Sequence, residues 1–202
     1  MNLEYLQLFE NNINFIPDEI GELLNLKVLN LSESAFSDVD ALTNLTNLIS
    51  LGLISCDSLQ NADGLANLTN LTSLDLSYCE SLQNVDALAN CANLTSLALV
   101  GCDSLENLDF LANLTNLTDL TLSFRIADEQ WEGEEMEIVG DSSIKNINGL
   151  NNCIKLTSLA IERSDFLFDL SNLSNLSNLT SLTLSECGFI DDVDGLVCLT
   201  KL

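Results

Sequence analysis

The chain has 202 residues, with 6 Lys+Arg against 31 Asp+Glu and a formal net charge of −25 at pH 7. Its apolar fraction of 47% suffices for a sizeable core, so the charge does not indicate a disordered chain. The lack of histidine excludes Ser–His, Cys–His and His–metal sites, and the few basic residues argue against a nucleic-acid partner. No apolar run reaches the roughly 18 residues that a membrane helix needs, so membrane insertion is not expected.

Leucines recur at a nearly fixed spacing along the whole chain. They open eight successive units, and a further leucine stands in phase at the end: Leu3, Leu26, Leu48, Leu71, Leu94, Leu117, Leu156, Leu179 and Leu202. The spacing is 22 or 23 residues, except for 39 between Leu117 and Leu156, where the sixth unit contains an insertion. Each unit begins Leu-x-x-Leu-x-Leu or a close variant, an alternation that predicts a strand with one buried face. The sequence therefore predicts a repeat architecture with one strand in each unit.

A helix-start signal follows each predicted strand. A residue typical of helix N-caps stands fifteen residues after the opening leucine, or fourteen in the second unit, when the 16 inserted residues of the sixth unit are not counted: Asp18, Asp40, Asp63, Asp86, Asp109, Asn148, Ser171 and Asp194. We predict that these residues cap short helices or turns, where carboxylates also suit the helix dipole. A ladder of metal-binding carboxylates is the alternative, but capping explains the fixed position better, so no metal site is predicted here.

The pattern Leu-x-x-Leu-x-Leu-x-x-Asn/Cys resembles the leucine-rich repeat family, and the stretch 40–48 is similar to its bacterial internalin-like class. The resemblance covers nearly the whole chain and implies an α/β fold. The expected form is a curved solenoid with a parallel β-sheet on the concave face and short helices or 3₁₀ turns on the convex face. We interpret residues 1–202 as one domain of eight repeats. Because solenoids need polar caps and none is recognisable, a fragment of a longer array with possible end-to-end contacts is expected.

Four of the seven cysteines occupy the ninth place of a unit: Cys56, Cys79, Cys102 and Cys187. They predict a buried ladder of thiols, whereas a metal or redox site is disfavoured without histidine or a Cys-x-x-Cys pair. Cys91 and Cys153 take leucine places and are expected in the core, and Cys198 is expected to be exposed. Free thiols favour the cytoplasm, but the resemblance includes secreted and cell-surface proteins, so localisation stays open. No cofactor is expected.

The outward strand positions of the predicted concave face are mostly small and uncharged. Tyr5 and Phe9 of the first unit are its two aromatic residues, and Tyr78 and Phe124, one position further along, are expected to extend them into a rim. Aromatic side chains are enriched at interface hot spots. The rim is therefore a candidate contact surface.

The insertion, residues 126–141, contains the only tryptophan, Trp131, and seven acidic residues. It follows a predicted strand and should emerge at one edge of the concave face, where Trp131, Phe124, Arg125 and Arg163 could contact a partner. The acidic residues would suit a basic partner. The alternative is a solvated acidic hairpin or disordered loop. Calcium is a third alternative, although the segment lacks an Asp-x-Asp-x-Asp-Gly loop.

Together these features predict a non-catalytic module that binds a protein or peptide. Its candidate ligand-binding residues are Tyr5, Phe9, Tyr78, Phe124, Arg125, Trp131 and Arg163. The alternative is a structural spacer or array segment of a larger surface protein that has no ligand of its own. An enzyme is disfavoured, because acid–base candidates such as Asp75 and Asp119 lie two strands apart on an open face.

Overall fold

The computed structural model describes residues 2–105, 107–124, 144, 146–164, 167, 169–188 and 190–202. Eight parallel strands form one sheet, in chain order from β1 to β8. The strands are β1 (Tyr5–Gln7), β2 (Val28–Asn30), β3 (Ser50–Gly52), β4 (Ser73–Asp75), β5 (Ser96–Val100), β6 (Asp119–Ser123), β7 (Ser158–Glu162) and β8 (Ser181–Ser185). The predicted parallel sheet with one strand in each unit is confirmed.

The strand register reproduces the repeat, position by position. Leu29 pairs with Leu51, and Leu74 pairs with Leu97. These central leucines are at most 1% exposed, whereas their neighbours in the strand face outward. Because side chains alternate across a strand, the in-phase leucines form one buried row and leave an open outer face.

Each unit returns through a 3₁₀ helix. The eight are Asp18–Glu22, Asp40–Leu42, Asp63–Leu65, Asp86–Asn90, Asp109–Asn113, Asn148–Asn152, Ser171–Leu173 and Asp194–Leu196. The residues predicted as N-caps are instead the first residues of these helices, and no cap hydrogen bond comes from the preceding residue's side chain. That prediction is corrected.

In most units, the side chain two residues before the helix start accepts the hydrogen bond that was expected from a capping residue. The Oδ1 atom of Asn61 accepts a hydrogen bond from the Asp63 amide at 3.0 Å, and Asn84 accepts one from Asp86 at 2.8 Å. The same bond recurs at Asn107, Asn146, Asp169 and Asp192. Asn and Asp favour this local turn because their short side chains reach the backbone two residues ahead.

The ninth place of the units forms a ladder inside the solenoid. The thiols of Cys79 and Cys102 donate to the carbonyls of Leu53 and Leu76, both at 3.1 Å. Cys56 and Cys187 make the same bond at 3.6 Å. Cys91 and Cys153 are also buried and Cys198 is exposed, so the predicted placement of the cysteines is confirmed.

Serine takes the ninth place in two units, and there the ladder is incomplete. The hydroxyl oxygens of Ser34 and Ser164 are buried with no hydrogen-bond partner among the described residues. A C–O bond is shorter than a C–S bond, so a hydroxyl reaches less far toward the carbonyl of the preceding unit. The interior therefore prefers the thiol on geometric grounds.

A second ladder runs along the edge where the strands begin, which we call the strand-start edge. The residue before each opening leucine is usually Asn, and its Nδ2 donates to a carbonyl of the preceding unit. Asn47 bonds the Leu24 oxygen, Asn93 bonds the Thr69 oxygen and Asn116 bonds the Ala92 oxygen, all at 2.8 Å. These hydrogen bonds connect neighbouring units and help to keep the units in register.

Candidate functional site

The eighth place of the units marks the opposite edge of the sheet, which we call the strand-end edge. Seven of the eight residues there, all except Phe124, have positive φ: Glu10 58°, Glu33 58°, Ser55 54°, Tyr78 60°, Gly101 65°, Arg163 53° and Glu186 54°. The left-handed conformation turns the chain between a strand and the inward-facing ninth residue. The ninth place is Cys in four of the eight units, whereas the eighth is Glu in three units and Ser, Tyr, Gly, Phe or Arg in the others.

Three of the predicted aromatic residues lie on the surface. Tyr5, Phe9 and Tyr78 are 64%, 47% and 51% exposed. The ring of Tyr78 lies over the next unit, where a Cβ atom added at Gly101 would come within 2.9 Å of its Cδ1 atom. The absence of a side chain at position 101 therefore makes room for this ring. The role of these three residues in binding stays a prediction.

Phe124 does not extend the aromatic rim. Its ring is 3% exposed and belongs to the core, although it occupies the eighth place of its unit. Its backbone amide donates to the Glu162 carbonyl at 3.1 Å, which keeps the chain in the ladder as it leaves β6. The prediction that Phe124 faces a partner is wrong, because burying an aromatic ring is favourable wherever the backbone permits it.

Of the other predicted contact residues, the structure describes only Arg163 and Phe124. Arg163 lies on the strand-end edge, where its Nε atom forms an ion pair with Glu186 Oε2 at 3.0 Å. Both side chains are about half exposed, so this pair contributes little to stability. Arg125, Trp131 and the insertion 126–141 lie outside the described residues.

Three serines at the seventh place of their units are less exposed than the strand alternation predicts, whereas Phe9 at the same place is 47% exposed. Ser32, Ser77 and Ser123 are 5–7% exposed, although they were expected to face outward. The Ser32 hydroxyl accepts a hydrogen bond from the Ile54 amide at 3.0 Å, so it serves the turn. The Oδ1 atom of Asp75 likewise accepts from the Ser77 amide at 2.9 Å, as Asn30 does from Ser32 at 3.0 Å.

Two shallow grooves, of about 560 and 510 Å³, lie along the strand-start edge and share Asn70 and Thr72. Their walls are mostly Asn and Thr side chains already used by the ladder. Asn70 donates to the Thr46 carbonyl at 2.9 Å, and Thr72 donates to the Ile49 carbonyl at 3.2 Å. The grooves are thus lined by side chains that hold neighbouring units together. The strand-end edge, which exposes aromatic rings, is therefore the stronger candidate for binding.

The repeat fold is similar to that of known proteins. A family model described as Zer-1-like, Leucine-rich repeats matches residues 62–135. An internalin (inlF) from Listeria monocytogenes str. 4b F2365 is 29% identical with a TM-score of 0.71, covering 93% of this chain and 49% of its own. Internalin C2 (inlC2) from the same strain is 28% identical with a TM-score of 0.80, covering 98% of this chain and 77% of its own. The chain is similar to leucine-rich repeat proteins of the internalin type and has their repeat fold.

A third solved structure shows the fold alone. The functional domain of InlJ from Listeria monocytogenes, described as including a cysteine ladder, is 21% identical with a TM-score of 0.60. It covers 99% of this chain, which spans 43% of that domain's length and about half that of the inlF internalin. No curated protein sequence matches the chain. The internalin-like resemblance with cysteine-containing repeats is confirmed.

Burial holds several thiols of the chain protonated. Burial raises the pKa of Cys102 to about 12 and that of Cys91 and Cys153 to about 11. A hydrogen bond to Cys56 and burial also raise the pKa of Cys79. Since the thiolate is the nucleophile and the metal ligand, these groups suit packing better than chemistry.

Within the described residues, no group of three or more Cys, Asp or Glu side chains is arranged to hold a metal ion. None of the helices in the described part is long and apolar enough to cross a membrane. Leucine-rich repeat folds of the internalin type are typically protein-interaction modules and generally non-catalytic.

Proposed function

We propose that this chain is a non-catalytic module that binds a protein or peptide through its concave face and the insertion 126–141. The observation that supports the proposal is the contrast between regular ladders and the varied strand-end edge. Ladder side chains bond neighbouring units, whereas Tyr5, Phe9 and Tyr78 expose large rings without contributing to the ladders. Exposed aromatic residues on a rigid scaffold are what interface hot spots require.

A comparative pull-down with cell extract tests the use of the concave face. Ser73→Trp places a bulky ring in the middle of the sheet, and Asn90→Trp places the same ring on an exposed position at the end of a 3₁₀ helix. We expect proteins retained by the wild type to be lost with Ser73→Trp and kept with Asn90→Trp. Equal retention by all three would contradict the use of this face, and a wild type that retains nothing would favour the structural spacer.

Deletion of residues 126–141 tests the insertion. The deletion restores the spacing of 23 residues between Leu117 and Leu156. The flanking residues Phe124 and Ile144 are 3% and 1% exposed, so the core on either side is already anchored. Loss of a Trp-centred contact should weaken partner binding by about tenfold or more. A folded deletion variant with unchanged affinity would remove the insertion from the proposal.

A further inference from the structure

The strand-end half of the concave face in the first four units combines acidic and aromatic side chains. The set comprises Phe9, Glu10, Glu33, Asp75 and Tyr78, which we call the acidic–aromatic surface. Every charged residue on the outward positions of these four strands and their eighth places is acidic. Lys27, the nearest base in sequence, lies on the strand-start edge with its Nζ atom 2.8 Å from Glu4 Oε2.

The backbone holds these carboxylates in fixed relation. The amide of Glu10 donates to the Ser32 carbonyl at 3.2 Å, and that of Glu33 donates to the Ile54 carbonyl at 2.7 Å. Both residues have a φ of 58°, so their side chains leave the chain in the same way on adjacent rungs. Parallel strands are spaced about 4.8 Å apart. One cationic side chain can therefore approach the exposed carboxylates of two adjacent units.

The third carboxylate, that of Asp75, has small residues on both neighbouring strands. Asp75 pairs across the sheet with Gly52 on one strand and Ala98 on the other, so neither neighbour covers it with a long side chain. The exposed ring of Tyr78 follows three residues later on the same unit. A Lys or Arg side chain near Asp75 could therefore also contact an aromatic face, an arrangement that favours cations.

We propose that the acidic–aromatic surface binds a basic, extended polypeptide segment that crosses the first four strands. From β1 to β4 is about three strand spacings, or roughly 14 Å, which four to five residues of extended chain can span. Side chains on one face of such a chain recur every second residue, so alternating Lys or Arg residues can reach the carboxylates. The net charge of −25 adds long-range attraction for a basic partner. The inference rests on the proposed function and specifies its partner.

The test uses a fluorescein-labelled peptide, Lys-Ser-Arg-Ser-Lys-Ser-Arg, and its fluorescence anisotropy with the full chain at about 50 mM salt. The surface variant is Glu10→Gln, Glu33→Gln, Asp75→Asn. Asn30 makes the same turn bond as Asp75, which shows that the amide fits there. The matched control is Asp40→Asn, Asp63→Asn, Asp86→Asn, which removes the same number of charges at exposed starts of 3₁₀ helices.

We expect the surface variant to bind the peptide about tenfold more weakly, and the control to stay within about twofold of the wild type. Tyr78→Ser leaves the charge unchanged and should weaken binding about threefold. Circular dichroism establishes that each variant is folded. Equal weakening in the two triple variants would overturn the proposal, because it would show diffuse attraction to an acidic protein.

A wild type that does not bind the peptide would also overturn it. That result is distinguishable from failure of the proposed function. If Ser73→Trp still abolished retention of partners in the pull-down, the concave face would bind a partner of another chemistry. If retention were unaffected as well, both proposals would be wrong.

Discussion

The eighth and ninth places of each unit are neighbours in the chain and follow opposite rules. The ninth is Cys in four units, and there its side chain points inward and hydrogen bonds to the preceding strand, as those of Cys79 and Cys102 do. The eighth has positive φ in seven of the eight units, faces outward in most of them and ranges from Glu10 to Tyr78 and Gly101. The repeated residues therefore hold the solenoid together, whereas the eighth place varies and carries part of the proposed contact surface.

The largest expected effect concerns the inward column and pH. Raised pKa values mean that the folded state holds the thiol protons of Cys91, Cys102 and Cys153 more tightly than the unfolded chain does. Their contribution is complete below the unfolded thiol pKa of about 8.5. It is lost as the pH rises through folded values of about 11 to 12. Urea unfolding from pH 8 to 11 should show stability falling by up to about 1.4 kcal/mol per thiol for each pH unit.

The double variant Cys91→Ala, Cys153→Ala provides the control for that pH dependence. It should be less stable at pH 7 because of the lost packing, but its stability should fall less steeply above pH 9. Parallel pH curves for the two proteins would show that other groups, or the net charge, cause the alkaline loss.

The next effect sharpens the contrast between thiol and hydroxyl in the ninth place. Cys79→Ser should lower the free energy of unfolding by about 1–3 kcal/mol, because it leaves a buried hydroxyl short of its acceptor. The reverse change, Ser34→Cys, should raise it by about 0.5–1.5 kcal/mol by completing the ladder. Urea unfolding at pH 7 measures both. A stabilised Cys79→Ser or a destabilised Ser34→Cys would contradict the geometric explanation.

A smaller effect is expected on the strand-start edge. Asn93→Ala removes the bond to the Thr69 carbonyl and should cost about 0.5–1.5 kcal/mol. Asn93→Lys should cost less, because lysine already takes this place in two units. Lys155 and Lys201 donate to Oδ1 of Asn116 and Asn178 at 2.7 and 2.6 Å. Thermal unfolding compares the stability of the two variants. If the lysine variant were no more stable than the alanine variant, the proposed lysine–asparagine hydrogen bond would not contribute to stability.

The smallest effect concerns the outward column. Ser55 has a φ of 54°, a conformation that glycine adopts without strain and that Gly101 adopts in its own unit. Ser55→Gly should therefore raise stability, by less than about 1 kcal/mol because glycine also gains freedom in the unfolded chain. Ser50→Gly, within β3, is the control and should lower stability. Loss of stability in both variants would argue against strain at the eighth place.

Much of the architecture follows from spacing alone. Because every unit repeats the Leu-x-x-Leu-x-Leu pattern or a close variant, in-phase packing of identical faces sets the strand order and register. Leu74 therefore meets Leu97, its counterpart in the next unit. The burial of Cys91 and Cys153 and the exposure of Cys198 follow from the same phase. The periodicity of the sequence is a direct record of which side chains share a face.

The spacing of the sequence predicts the candidate site less completely than it predicts the fold. Tyr5, Phe9 and Tyr78 are exposed as their places suggest, but Phe124 shares the place of Tyr78 and turns into the core. The Asn61 side chain, and not Asp63, supports the entry to its 3₁₀ helix. Both differences depend on local backbone direction, which a count of residues does not contain. The spacing of Asn or Asp two places before the helix start was a signal that could have revealed the turn.

The repeat, the parallel sheet, the buried thiols and the excess of negative charge follow from the amino-acid sequence, because these features depend on composition and period. The pairing of polar groups, in contrast, depends on how the units stack. Lys155 bonds Asn116 across 39 residues, and Cys153 bonds the Leu111 carbonyl across 42. Stacking also pairs Arg163 with Glu186 and places the Tyr78 ring over Gly101. The physical reason is that these contacts form between units, where partners distant in sequence are brought together by stacking.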